Sequence, residues 1–201
     1  MLTLYYAPRT RAVRVRWLLE ELGLPYALRR VAFVPPSEGG FFSQATPGGK
    51  FPVLEDGEIT LGESGAILQY VLERYGAGRL EPPVGAPLRA PFLYWFHFAE
   101  ATLFPPIGTL VWHTLYKRDA ERVPTVIDDA RSRARTTLAV VERGLEGRDH
   151  LLGDAFSAAD VMMGFTLMAA ELFGLLEDTP TLRAYLARLQ DRPAFRRATA
   201  D

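Results

Sequence analysis

Apolar and polar positions follow two different periods along this chain, and each change of period marks an element. Residues 2–6, LTLYY, are short and rich in strand formers. After a break at APRT, the run RAVRVRWLLEELG takes up helical spacing, with Val13, Trp17, Leu18 and Leu22 on one face. Thr10 stands where a helix is capped and Gly23 where one ends. PYALRRVAF returns to strand character, and FFSQATPGG is punctuated and ambiguous. PVLEDGEITL reads as two strands around Asp56-Gly57, the dipeptide of a type I′ hairpin turn. ESGAILQYVLERYG predicts an amphipathic helix capped by Ser64, with Ile67, Leu68, Val71, Leu72 and Tyr75 inward and Gly76 at its end.

The order is therefore β-α-β-(α)-β-β-α, a small α/β domain over residues 1–77. AGRLEPPVGAP, with Gly or Pro every few positions, is a linker. Everything beyond it has helical periodicity, giving an all-helical domain of five or six helices over residues 87–201. APFLYWFHFAEATLFPPIGTLVWHTLY predicts a long apolar-aromatic helix bent at Pro105-Pro106. PTVIDDARSRARTTLAVVERGLEG predicts a second helix with Pro124 near its start. SAADVMMGFTLMAAELFGLL is apolar all round, as a buried central helix must be, and TPTLRAYLARLQDRPAFRRATA closes the chain with one or two helices.

Composition narrows the function classes. A length of 201 residues with 48% hydrophobic content suffices for one large or two small packed domains. A formal charge of −1 lacks the basic field of a nucleic-acid binder. Charges interrupt every apolar run before it reaches the ~20 residues of a membrane span, and the N-terminal arginines follow the apolar stretch, unlike a signal peptide. A soluble, cytoplasmic protein is the expectation. The chain has no cysteine, which removes disulfides, thiolate metal sites and cysteine nucleophiles together. Three scattered histidines, His97, His113 and His150, offer no metal-ligand spacing, and no nucleophile-elbow context surrounds any serine.

Two motifs then carry a resemblance. KFPVL…GESGAI places a proline at the head of the hairpin and an acidic-serine pair at the start of the next helix. FSAAD, about a hundred residues on, opens the apolar helix. In that order, with a βαβ-ββα domain before an all-helical one, the chain resembles the cytosolic glutathione S-transferase superfamily, in a bacterial and fungal branch of it. The resemblance implies a thioredoxin-like N-terminal domain followed by an all-helical C-terminal domain, with glutathione as co-substrate and a homodimer as the assembly. It implies that the Phe51–Pro52 bond is cis, which an X-Pro bond adopts at a cost of only ~0.5–1 kcal/mol. The Phe51 backbone would then pair with glutathione as an added strand does. Ser64 would hold the γ-glutamyl carboxylate at a helix start, Glu63 would pair with the amine, and Lys50 would face the glycyl carboxylate.

Which group holds the thiolate stays open between three residues. Taking a thiol from a pKa of about 8.5 to about 6.5 needs ~2.7 kcal/mol of preferential stabilisation. Thr10 stands where serine-type members carry their hydroxyl, Tyr5 near the place of the tyrosine in tyrosine-type members, and Arg11 where cysteine-type members have cysteine; a backbone N–H is the remaining option. The resemblance also implies an acceptor pocket for a small hydrophobic electrophile between the domains, with Tyr94, His97, Phe98, Ala101 and Phe104 as candidates. Ser157 and Asp160 of FSAAD read instead as a capping box, structural and not catalytic. The activity implied is transfer of glutathione to the electrophile. The alternatives are a glutathione-dependent peroxidase, or a non-catalytic binding or scaffold protein on the same fold. Absence of cysteine argues against a thiol transferase.

Overall fold

The computed structural model describes residues 1–32 and 49–200. The ambiguous FFSQATPGG run as far as residue 48, the helix bracketed in the element order, and Phe33 lie outside the described residues. The described residues form two units, residues 1–32 and 49–80 with 191–200, and residues 81–190.

The first unit is built on a sheet in the order β2-β1-β3-β4, comprising β1 Leu2–Tyr6, β2 Tyr26–Arg30, β3 Val53–Asp56 and β4 Ile59–Leu61. β1 and β2 run parallel; β3 pairs antiparallel with both β1 and β4. Burial alternates along β1, so Leu2, Leu4 and Tyr6 point into the core while Thr3 and Tyr5 do not. The hairpin turns one residue later than expected: Asp56 still pairs with Ile59, and of the two loop residues Gly57 and Glu58 only Gly57 has a positive φ, 62°, the pattern of a II′ rather than an I′ turn. α1 spans Ala12–Leu22 and α2 Ser64–Tyr75. Val13, Trp17, Leu18 and Leu22 are buried as their spacing predicts, and Gly23 ends α1 at φ 64°. Tyr75 differs from its inward expectation. It is only half-buried, and its hydroxyl, like that of Tyr70 at 2.7 Å, donates to Asp56 at the end of β3.

The last helix, α8 (Pro193–Thr199), also belongs to this unit. The helical domain expected over 87–201 thus gives up its final residues. The cause lies in the side chains of α1. Trp17 meets Phe195 edge-on at 4.9 Å, and Arg192 grips Glu21 through two hydrogen bonds of 2.6 and 2.9 Å. Arg197 donates to Glu20 at 2.6 Å, and Arg16 to the carbonyls of Ala198 and Ala200 at 3.2 and 2.8 Å. Seven residues make too short a helix to stand alone, so α8 depends on this docking.

In the second unit, the long aromatic helix runs as α3 (Arg89–Phe98), a π-helical stretch over Ala99–Leu103, α4 (Phe104–Val111) and a second π-helical stretch over Trp112–Tyr116. The first π turn directly precedes Pro105-Pro106, whose missing N–H groups could not have continued an α-helical ladder. α5 (Pro124–Gly144) begins at its proline. Near its end the bare Gly144 admits Trp95, because a Cβ there would overlap the Cζ2 and Cη2 atoms of the indole. α6 (Ala158–Glu171) is almost wholly buried, as its all-apolar sequence predicts, and α7 (Pro180–Gln190) follows. Among the described residues no helix is long and apolar enough to cross a membrane.

The capping box at the start of α6 is present. Asp160, with no accessible surface, accepts from the Ser157 N–H at 2.8 Å and the Ser157 hydroxyl at 3.0 Å. Two partners were not legible in the motif: the Leu151 N–H at 3.0 Å and the Tyr185 hydroxyl at 2.7 Å. Burial, and after it the Asp160 charge, holds the Tyr185 hydroxyl well above the usual tyrosine range.

Candidate functional site

Register brings three of the sequence-predicted segments to one end of the sheet. Tyr5, next to last in β1, pairs with Val53, the first residue of β3. The Phe51-Pro52 segment therefore enters β3 beside the end of β1, from which APRT leads into α1. Leu61, the last residue of β4, pairs with Leu54, so α2 starts at the same end. Pro52 stands one residue before the ladder, where its missing N–H interrupts no sheet bond. The Phe51–Pro52 peptide is cis, as the resemblance implies, and Phe51 is 8% exposed. Lys50 is exposed immediately before it.

At the start of α2 the expected cap moves by one residue. Glu63, not Ser64, occupies the cap position, with φ 61° and ψ 111°, and its side chain makes no capping bond. Its carbonyl accepts the first helical bond, from Ile67 N at 2.9 Å. A left-handed backbone on a non-glycine residue costs about 1–3 kcal/mol, and here it turns an acidic side chain out to solvent. Ser64 is the first helical residue, 2% exposed, and its Oγ accepts from Arg14 Nη1 at 3.1 Å. Arg14, at 0% exposure, was not singled out by sequence reasoning. A signal was available: it stands four residues before Leu18 and eight before Leu22, on the apolar stripe of α1.

The start of α1 is tightly turned, with Arg9 at φ 60°. Arg11 takes the cap position expected for Thr10, without a side-chain cap bond. Thr10 still serves the helix, since its Oγ1 accepts from Ala12 N at 3.3 Å while its proton goes to the Ala7 carbonyl at 2.7 Å. Tyr5 turns to the sheet face of Glu55. Its hydroxyl donates to Glu55 Oε1 at 2.9 Å, accepts from Arg29 Nη1 at 3.3 Å, and has the Arg29 guanidinium 5.6 Å from its ring centre. The hydrogen bond to Glu55, with burial second, raises the Tyr5 hydroxyl above the ordinary tyrosine range.

The acceptor candidates divide along the α3–α4 helix. Tyr94, His97 and Ala101 are exposed at spacings of three and four residues, one helical face. Phe98 and Phe104 are each 8% exposed and belong to aromatic packing, Phe98 with Trp95 at 5.5 Å and Phe104 stacked on Phe165 at 6.2 Å. Among the described residues no cluster of His, Asp or Glu is arranged to hold a metal ion.

Comparison with known proteins gives the family. Residues 1–73 match the glutathione S-transferase N-terminal domain family and residues 124–188 the glutathione S-transferase C-terminal domain family. Glutathione S-transferase 1 of Triticum aestivum is 30% identical over 202 residues, covering 94% of this chain and 88% of its own. The crystal structure of a glutathione transferase from Methylococcus capsulatus superposes with a TM-score of 0.85 at 29% identity, covering 99% of this chain and 97% of that one. A glutathione transferase family member from Pseudomonas fluorescens, crystallised with two glutathione bound, gives 0.82 at 26% identity, covering 98% and 92%. With its cis-proline hairpin, its acidic-serine helix start and both family domains in order, the chain belongs to the cytosolic glutathione S-transferase superfamily.

Proposed function

We propose that this protein is a glutathione transferase that conjugates the glutathione thiolate to small hydrophobic electrophiles. The observation that carries the reading is the start of α2, where an acidic residue in left-handed backbone stands beside a buried serine at the first helical position. An α-amino acid end group needs such a pair: a donor with the positive end of a helix for its carboxylate, and a carboxylate for its amine. Ser64 and Glu63 take these roles, the Phe51 backbone pairs with the cysteinyl unit, Pro52 shapes that approach, and Lys50 faces the glycyl carboxylate. Thr10 holds the thiolate. Its hydroxyl is already oriented by the Ala12 N–H, and turning its proton from the Ala7 carbonyl to a thiolate exchanges a neutral bond for a charge-assisted one. Arg11 adds positive charge at the same helix start. Tyr94, His97 and Ala101 offer the electrophile an aromatic, polar-edged face. The setting is cytoplasmic detoxification.

The test is retention on a glutathione resin followed by turnover with a chlorodinitrobenzene-type electrophile; failure of both refutes the reading. Retention without turnover would select the second reading, a non-catalytic glutathione-binding protein. One observation favours that alternative: the Thr10 and Tyr5 hydroxyls both give their protons to acceptors within the protein. The assembly proposed is a homodimer, because Leu115, Leu88 and Trp112 leave 59%, 47% and 40% of large apolar side chains exposed in the helical unit. Sedimentation should give twice the chain mass at micromolar protein, and a monomer there would refute the dimer.

A further inference from the structure

We propose that Arg14 makes Ser64 selective for an anion, and so sets the preference of the site for a ligand bearing the γ-glutamyl carboxylate. The inference rests on the glutathione-binding reading above and adds how one end of the ligand is chosen. A guanidinium stays charged throughout the pH range in which proteins fold, so Arg14, with no accessible surface, is a buried positive charge in the first turn of α1. Its Nη1 donates to the Ser64 hydroxyl at 3.1 Å, and Ser64 is itself 2% exposed. A serine hydroxyl has one proton and two lone pairs. With one lone pair taken by a cation, the proton is turned away from the guanidinium and Ser64 becomes a donor to whatever lies beyond it. The first-turn N–H groups of α2 present the same sign.

A carboxylate satisfies all of these donors, whereas an ammonium or amide N–H meets them with its own hydrogens. Glu63, exposed on the neighbouring position in left-handed backbone, supplies the opposite sign. The two residues thus read the two charges of an α-amino acid in a fixed order. Arg14 acts here through Ser64 and touches no ligand atom, which makes it a positioning residue.

The experiment compares binding, by calorimetry, of glutathione and of 4-aminobutanoyl-cysteinyl-glycine, the same tripeptide without the γ-glutamyl carboxylate. The unaltered protein should favour glutathione by about ten- to a hundredfold. Arg14→Lys, which keeps the charge, should hold most of that ratio. Arg14→Gln, which can still donate to Ser64 but is neutral, should lose most of it. Ser64→Ala should lose it too, and adding Arg14→Gln to Ser64→Ala should change little more. A merely structural arginine would lower the melting temperature of Arg14→Gln and leave the ratio intact, which would overturn the proposal. Should Arg14→Gln not fold, Ser64→Ala decides, and an unchanged ratio there overturns it equally. If the unaltered protein binds neither compound, the glutathione reading fails and the inference with it; if it binds glutathione and only the ratios refuse to move, the inference alone fails.

Discussion

A threonine hydroxyl has a single proton, and that of Thr10 rests on the Ala7 carbonyl until something better is offered. Thr10→Ser should therefore keep most of the turnover, while Thr10→Val should lower it about ten- to a hundredfold with glutathione binding largely preserved, the loss of one charge-assisted bond. The pH–rate profile of the valine variant should move upward, because its bound thiol titrates closer to the free value. Tyr5→Phe should leave the profile alone, since the Tyr5 proton is held by a carboxylate. The opposite pattern would make Tyr5 the thiolate partner. Asp160 answers differently. Asp160→Ala strands the Leu151 and Ser157 N–H groups and the Tyr185 hydroxyl in the core, so it should cost roughly 3 kcal/mol or more in thermal or urea unfolding while turnover per folded molecule stays unchanged. Intact stability with lost turnover would contradict its structural role. The Ser157–Asp160 pair was readable because a capping box is a local pattern. Arg14 was passed over although it stands on the apolar stripe of α1, and its bond to Ser64, fifty residues on, is not a local pattern.

At the scale of elements, the hairpin and α2 are tied at their far end by Asp56, which accepts from the Tyr75 and Tyr70 hydroxyls and lies 3.4 Å from Arg74 Nε. The Tyr75 bond, then the Tyr70 bond, holds the Asp56 carboxyl below its usual range. A folded-state pKa below the unfolded one stabilises the fold above the ordinary carboxylate value of about 3.9, and that contribution disappears as pH falls through the lowered one. Melting curves of the parent and Asp56→Asn should thus be well separated at neutral pH and converge in acid; a separation independent of pH would contradict this assignment. The elements themselves were largely legible, because the strand and helix periods of this chain are clean, and Asp56-Gly57 predicts a hairpin although its loop falls one residue later, on Gly57-Glu58. The cap of α2 shifted from Ser64 to Glu63, since a left-handed glutamate is a choice that local propensity disfavours. The π turns carried no signal beyond the two prolines beside the first of them.

Over the whole molecule, a small α/β unit and a helical unit beyond it follow from the change of period near residue 77, whereas the strand order β2-β1-β3-β4 does not. The return of α8 to the first unit did not, because it depends on Trp17, Glu20 and Glu21 meeting residues more than 170 positions away. The motifs KFP and ES made the proposed glutathione site legible in the sequence, since they are held by backbone geometry as much as by side chains. In the proposed function, Ser64 at the start of α2 binds the γ-glutamyl end of glutathione. Calorimetric titration of glutathione into the parent protein and into Ser64→Ala tests it most directly. The account predicts saturable one-site binding to the parent, weakened about tenfold or more in a Ser64→Ala variant that remains folded. Equal affinity in the two proteins, or no binding to the parent, would contradict it.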